Sequence, residues 1–231
     1  MKKSKINRLV VISLQLAVLL LVVCASPSLS IFDGQAWGDQ MPEEVVGAEL
    51  DDGQEDNIAL CYMIPGYVSM RYASNDSFAF FRFTTIPIAQ GTTIDACTLF
   101  TYVITTSYDD PDIDIFCEDT ASATILVDEN NCISSRIQTT EFVEWIASDL
   151  GTGYKPSPEL KTIVQEVINR DDWSEDNDLA FIVVVNPASA FAVDAYESSG
   201  DMAKLHIWYS TGEPPEIDKP RKDIMKGGIV R

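Results

Sequence analysis

The segment from Ser157 to Asn186 constrains the fold most, because one amphipathic helix is followed directly by a buried strand in a chain that otherwise reads as β. Ser157 fits an N-cap and Pro158 the first helical position, where its missing N–H is harmless. Apolar residues then fall at Leu160, Ile163, Val164, Val167 and Ile168, the spacing of one helix face, which predicts a helix over about 158–170. A polar turn leads to the continuous apolar run Leu179 to Val185. A lone helix of this kind must lay its apolar face on something, and strands surround it on both sides.

Those strands recur between turn signals. Ala59 to Met63, Tyr67 to Tyr72, Phe78 to Phe83, Cys97 to Thr105, Ile113 to Cys117, Phe142 to Ile146, Leu179 to Val185, Ala190 to Tyr196 and Ala203 to Tyr209 are rich in β-branched and aromatic residues. Phe81, Phe83, Val143 and Trp145 show the two-residue alternation of half-buried strands. The expected fold class is therefore all-β, a jelly-roll-like antiparallel β-sandwich with the helix packed on it.

The ends read differently. Lys2, Lys3, Lys5 and Arg8 precede an apolar run from Leu9 to Val23, followed by small residues at Ala25, Ser26, Ser28 and Ser30, so residues 1–30 have the layout of a signal peptide. An uncleaved anchor, or acylation at Cys24, are the alternatives. Residues 31–57 are acidic and poor in large apolar side chains. They are expected to form a linker or arm, with Val45, Val46 and Leu50 docking as one short strand. Residues 58–209 are the expected sandwich domain, and 210–231, with Pro214, Pro215, Pro220, Gly227 and Gly228, a flexible tail.

Taking away the four basic residues of the leader leaves 12 basic against 36 acidic residues, a net charge of −24. Such a chain repels nucleic acid and anionic membranes, so neither is an expected partner once the leader is cleaved. Cys61, Cys97, Cys117 and Cys132 remain, an even number in an exported chain, which predicts two disulfides among three possible pairings. Cys117 with Cys132 and Cys61 with Cys97 close the shorter loops and are the expected pairs.

The segment Phe80-Phe-Arg-Phe-Thr-Thr-Ile-Pro-Ile-Ala-Gln-Gly-Thr-Thr-Ile94 resembles the opening of secreted jelly-roll modules of the DNRLRE type. Ile115-Phe-Cys-Glu-Asp119, Ile133-Ser-Ser-Arg136, Val143-Glu-Trp145, Pro158-Glu-Leu with Ile163 to Arg170, and Trp173 follow in that family's order. The resemblance covers roughly residues 78–209. It implies a non-catalytic sandwich like those of carbohydrate-binding modules, some of which take acidic polysaccharides. Here Cys117 stands where relatives commonly have glycine, and the negative charge disfavours an anionic glycan unless calcium bridges the two.

For catalysis the sequence offers little, since His206 is the single histidine and reads as a strand-face residue between Leu205 and Ile207. No GxSxG, HExxH or phosphate-cradling glycine loop occurs, and no enzyme is expected. A metal is expected only as Ca2+, at Asp109, Asp110, Asp112 and Asp114 or at Glu118 and Asp119, because clustered carboxylates supply the oxygen ligands it prefers. The plainer reading is an acidic loop and strand end. Tyr108, Tyr154 and Trp173 are the candidate sugar-stacking rings, with cover of the helix edge or closure of the sandwich as the alternative; Arg136 is the candidate polar contact for an acidic ligand group, with burial against Glu118 or Asp119 as the plainer reading.

The expected function is a secreted or cell-surface, non-catalytic binding module for polysaccharide or cell-surface glycan. The alternative is a structural or adhesive surface protein, a subunit of an extracellular assembly that contacts copies of itself through its terminal segments. Because the helix face is spoken for by packing, a functional surface is expected in the acidic loops or along an exposed sheet.

Overall fold

The computed structural model describes residues 39–56, 60–62, 67–70, 77–105, 112–146, 151–186, 191–195 and 201–210. In chain order the elements are β1 (Asp39–Gln40), β2 (Glu44–Val45), a 3₁₀ turn (Glu49–Asp51), β3 (Asp52–Glu55), β4 (Cys61–Tyr62), β5 (Tyr67–Met70), β6 (Ser77–Ile86) and β7 (Thr93–Thr105). Then come β8 (Asp112–Cys117), β9 (Val143–Ile146), β10 (Gly153–Pro156), α1 (Lys161–Ile168), β11 (Asn177–Val185), β12 (Phe191–Asp194) and β13 (Lys204–Ser210). The strands make two antiparallel sheets: seven strands in the order β1-β13-β7-β12-β5, with β10 on β7 and β2 on β13, and six in the order β4-β3-β6-β11-β8-β9. In chain order the strands change sheet from β2 to β3, β4 to β5, β5 to β6, β6 to β7, β7 to β8, β9 to β10, β10 to β11 through α1, and β11 to β12, the alternation expected of a jelly-roll-like sandwich.

β7 is the axis of the seven-stranded sheet. Val103 pairs with both Gly153 and Val193, and Phe100 with both Pro156 and Lys204, so β10 lies on one side of β7 and β12 and β13 on the other. Between the sheets lies the main core, with Phe81, Phe83 and Phe181 fully buried beside Leu99, Ile113, Ile115, Leu205 and Ile207.

α1 closes one flank of that core. Ile163, Val164, Val167 and Ile168 are buried between the sheets, while polar residues of α1, and Glu159 just before it, satisfy backbone groups that a neighbouring strand would otherwise pair. Gln165 accepts the N–H of Ile94 at 2.8 Å, Glu159 that of Cys97 at 2.7 Å, and Glu166 that of Thr140 at 2.7 Å. The expected N-cap moves, however. The helix begins at Lys161, and Ser157 instead extends the β10 pairing, with its Oγ accepting the Leu99 N–H at 3.1 Å.

β11 reads as an unbroken apolar run because both of its faces are covered. Leu179, Phe181, Val183 and Val185 face the main core, whereas Ala180, Ile182 and Val184 join Phe80, Ala123, Leu126, Cys132 and Ile133 in a second core. Residues 119–138 lie over this outer face, held by buried polar contacts. Arg82 pairs with Asp51 and with Asp178, the latter at 2.6 Å, and donates to the Ala123 carbonyl at 2.9 Å. Arg136 pairs with Glu118 at 2.9 Å, donates to the carbonyls of Thr124, Ile125 and Cys132, and lies 4.4 Å from the Phe80 ring centre. Glu55 accepts the N–H groups of Ile133 and Ser134.

Two further expectations are corrected. The described part of the acidic segment 31–57 is more than a linker or arm with one docked strand: the expected strand is present as β2, which takes in Val45, but β1 also pairs with β13, and β3 pairs with β6 and β4. The disulfide joins Cys61 to Cys132, with Cα atoms 6.0 Å apart, and Cys97 and Cys117 are free thiols buried in the main core. Loop length chose the wrong partners because Cys132 faces the second core beside β4, while Cys97 and Cys117 point inward from β7 and β8. Burial pushes both thiols well above the ordinary cysteine range, which keeps them protonated.

Candidate functional site

The outer face of the seven-stranded sheet carries a strip of aromatic rings. In β7 and β13 the buried residues Cys97, Leu99, Thr101 and Val103, and Leu205 and Ile207, alternate with half-buried Phe100 and Tyr102, and Lys204, His206 and Trp208. Phe100 and His206 have ring centres 4.9 Å apart, and His206 and Trp208 5.9 Å. Tyr102 meets Tyr154 of β10 edge to face at 5.2 Å, and the Lys204 ammonium lies 4.7 Å from the Tyr154 ring centre. Register produces this strip: Tyr154 is paired with Tyr102, and Lys204 with Phe100, so rings from three strands meet side by side.

Polar groups fix the rings in place. Glu43, in the link between β1 and β2, receives Lys204 at 3.2 Å and contacts His206 Nε2 at 2.7 Å. The His206 and Lys204 hydrogen bonds hold the Glu43 carboxyl below the usual glutamate range, and Glu43 in turn raises Lys204. The Tyr154 hydroxyl donates to the Met202 carbonyl at 3.2 Å, and partial burial raises its phenol. A ring strip with hydrogen-bonding edges can receive the C–H face of a sugar while amide-like and hydroxyl groups are satisfied at its rim.

Among the ring candidates from sequence, Tyr154 stands in this strip. Tyr108 lies outside the described residues. Trp173 does not present a ring to solvent: it is buried in the main core, and its indole N–H donates to the Ile88 carbonyl at 2.9 Å. Arg136 is committed to Glu118 and three carbonyls under the second core, so the plainer reading of that residue applies.

Of the calcium candidates, Asp109 and Asp110 lie outside the described residues, and Asp112 and Asp114 alternate with buried Ile113 and Ile115 on β8. Glu118 and Asp119 each give one carboxylate oxygen to an ion pair, with Arg136 and Arg170 respectively. Burial, outweighing Arg136, raises the Glu118 carboxyl. Among the described residues, the one place where three ligand-type atoms converge is Glu55 with Cys61 and Cys132. There the two sulfurs are bonded to each other and the carboxylate holds two backbone N–H groups, so the residues do not fit a metal.

Sequence reasoning missed Phe100, Tyr102, His206 and Trp208 as members of a surface. The signal was present in parity: Phe100 and Tyr102 alternate with Leu99 and Val103, and Trp208 shares the parity of Lys204 and His206. No protein-family model matches this chain, and no curated protein matches it.

Proposed function

We propose that this protein is a secreted, non-catalytic binding module that takes a neutral glycan along the aromatic face of the seven-stranded sheet. The observation that carries the reading is the half-exposed strip of Phe100, Tyr102, Tyr154, His206 and Trp208 on one continuous sheet face. A sheet face suits an extended polymer, because rings from neighbouring strands lie along it. The negative charge supports a neutral over an acidic glycan, since a polyanion would meet repulsion across most of the surface. The basic leader and the Cys61–Cys132 disulfide support export, where such a bond persists.

An array of neutral and acidic oligosaccharides probed with the full chain tests this reading. Binding confined to neutral glycans supports it, and an array without hits, or with hits only among acidic glycans, contradicts it. The assembly reading draws on a different place, the exposed edge of the six-stranded sheet.

A further inference from the structure

β9 is the last strand of the six-stranded sheet in its described order, and residues 138–146 run antiparallel beside 112–118 for the whole length of β8. Of the three most exposed large apolar side chains among the described residues, Ile146 at 63% and Phe142 at 52% sit on this segment and Ile137 at 69% directly precedes it. Phe142 stacks on half-buried Phe116 with ring centres 5.3 Å apart, which extends the apolar strip onto β8. Acidic residues are interspersed, namely Asp112, Asp114, Glu141 and Glu144, and neither 112–119 nor 137–146 contains a Lys or Arg. An edge of this kind, apolar and without lysine or proline, invites another strand.

We propose that this edge is the docking site of the chain's own C-terminal segment, residues 219–231. In a strongly acidic protein this segment is the basic exception: Lys219, Arg221, Lys222, Lys226 and Arg231 stand against one acidic residue, Asp223. Ile224, Met225, Ile229 and Val230 are interleaved with those charges, which complements an edge of apolar and acidic side chains. The geometry allows the chain to arrive there. Ser210 pairs with Thr93; Gln165 of α1 donates to the Thr92 carbonyl at 2.9 Å; and the next residue, Glu166, accepts the Thr140 N–H at 2.7 Å. The way from Ser210 to the start of the β9 segment therefore crosses one strand spacing and one helix, roughly 20–25 Å. Fourteen residues lead from Ser210 to Ile224, which extended reach up to about 46–50 Å. Docking joins the basic end to the acidic edge and covers the three exposed apolar side chains.

Zero-length carbodiimide coupling of the full chain, with an equal mixture of 15N-labelled and unlabelled protein, tests the placement by mass spectrometry. The expected cross-links join Lys219, Lys222 or Lys226 to Glu141, Glu144, Asp112 or Asp114 within one copy, and they fall at least fivefold in I146K and in 0.5 M salt, conditions set by the charge screening involved. Ile146 is exposed, so that variant is expected to keep the wild-type melting temperature. Coupling of the same lysines chiefly to carboxylates elsewhere, such as Glu43 or Asp95, overturns the proposal, as does coupling at β9 that I146K leaves unchanged. Cross-links between labelled and unlabelled copies also overturn it and speak for the assembly reading.

Discussion

Arg82 shows how strongly single residues are committed in this fold. Its guanidinium lies under residues 119–138 between Asp51, whose side chain is 3% exposed, and Asp178, at 22%. Removing the arginine leaves a buried carboxylate without its cation, so Arg82→Met is expected to destabilise the protein by about 3–5 kcal/mol in denaturant unfolding. Asp178→Asn, at the wetter end, is expected to cost less. Glu43 behaves differently because it is exposed. Its carboxyl is lowered in the folded protein by His206 and Lys204, so the clamp is fully formed above the ordinary glutamate value and is lost as pH falls through the lowered one. Trp208 neighbours His206, and its fluorescence is expected to change on acidification through a range below the ordinary glutamate value, a transition absent in Glu43→Gln. The raised Glu118 carboxyl has the opposite sign: its contribution is fully present below the ordinary glutamate value and is lost as pH rises through the folded one. The partners of Arg82 and Glu43 were not legible in the sequence, because Arg82 and Asp178 are 96 positions apart and only the fold joins them, whereas Glu118 was one of the two carboxylates expected beside Arg136.

Among the elements, the helix was the most legible. Five apolar residues at helical spacing predicted a packed face, and the four within α1 are buried between the sheets. Its start was not legible, since Ser157 has the right side chain for a cap but is drawn into the β7 ladder two residues beyond Lys155. Val167→Ala is expected to lower stability by about 1.5–3 kcal/mol, because the flank it seals cannot collapse around the lost methyl groups. The strand β11 was legible as an apolar run, yet its length alone did not reveal that two cores use it. The short strands β1 and β3 were hidden for the contrary reason: Asp52, Glu55 and their neighbours look like solvated chain, and they become ordered by pairing and by the duties of Asp51 and Glu55 toward Arg82 and residues 133–134. β2, by contrast, takes in Val45 of the one short strand expected there.

For the whole molecule, the cysteines separate the two cores chemically. Alkylation in denaturant without reductant is expected to label Cys97 and Cys117, with Cys61 and Cys132 recovered as one linked peptide pair; native alkylation is expected to label neither thiol, because both are buried and held protonated. The sandwich class followed from strand count and alternation, whereas the binding face required register, since only pairing sets Tyr154 beside Tyr102 and Lys204 beside Phe100. Titration of the full chain with a neutral polysaccharide, followed by isothermal calorimetry, tests that face most directly. The structure-based reading predicts saturable binding that weakens at least tenfold, about 1.4 kcal/mol, in Tyr154→Ala/Trp208→Ala and stays unchanged in Ile146→Lys. Binding that survives loss of both rings, or none in the wild type across neutral polysaccharides, contradicts it.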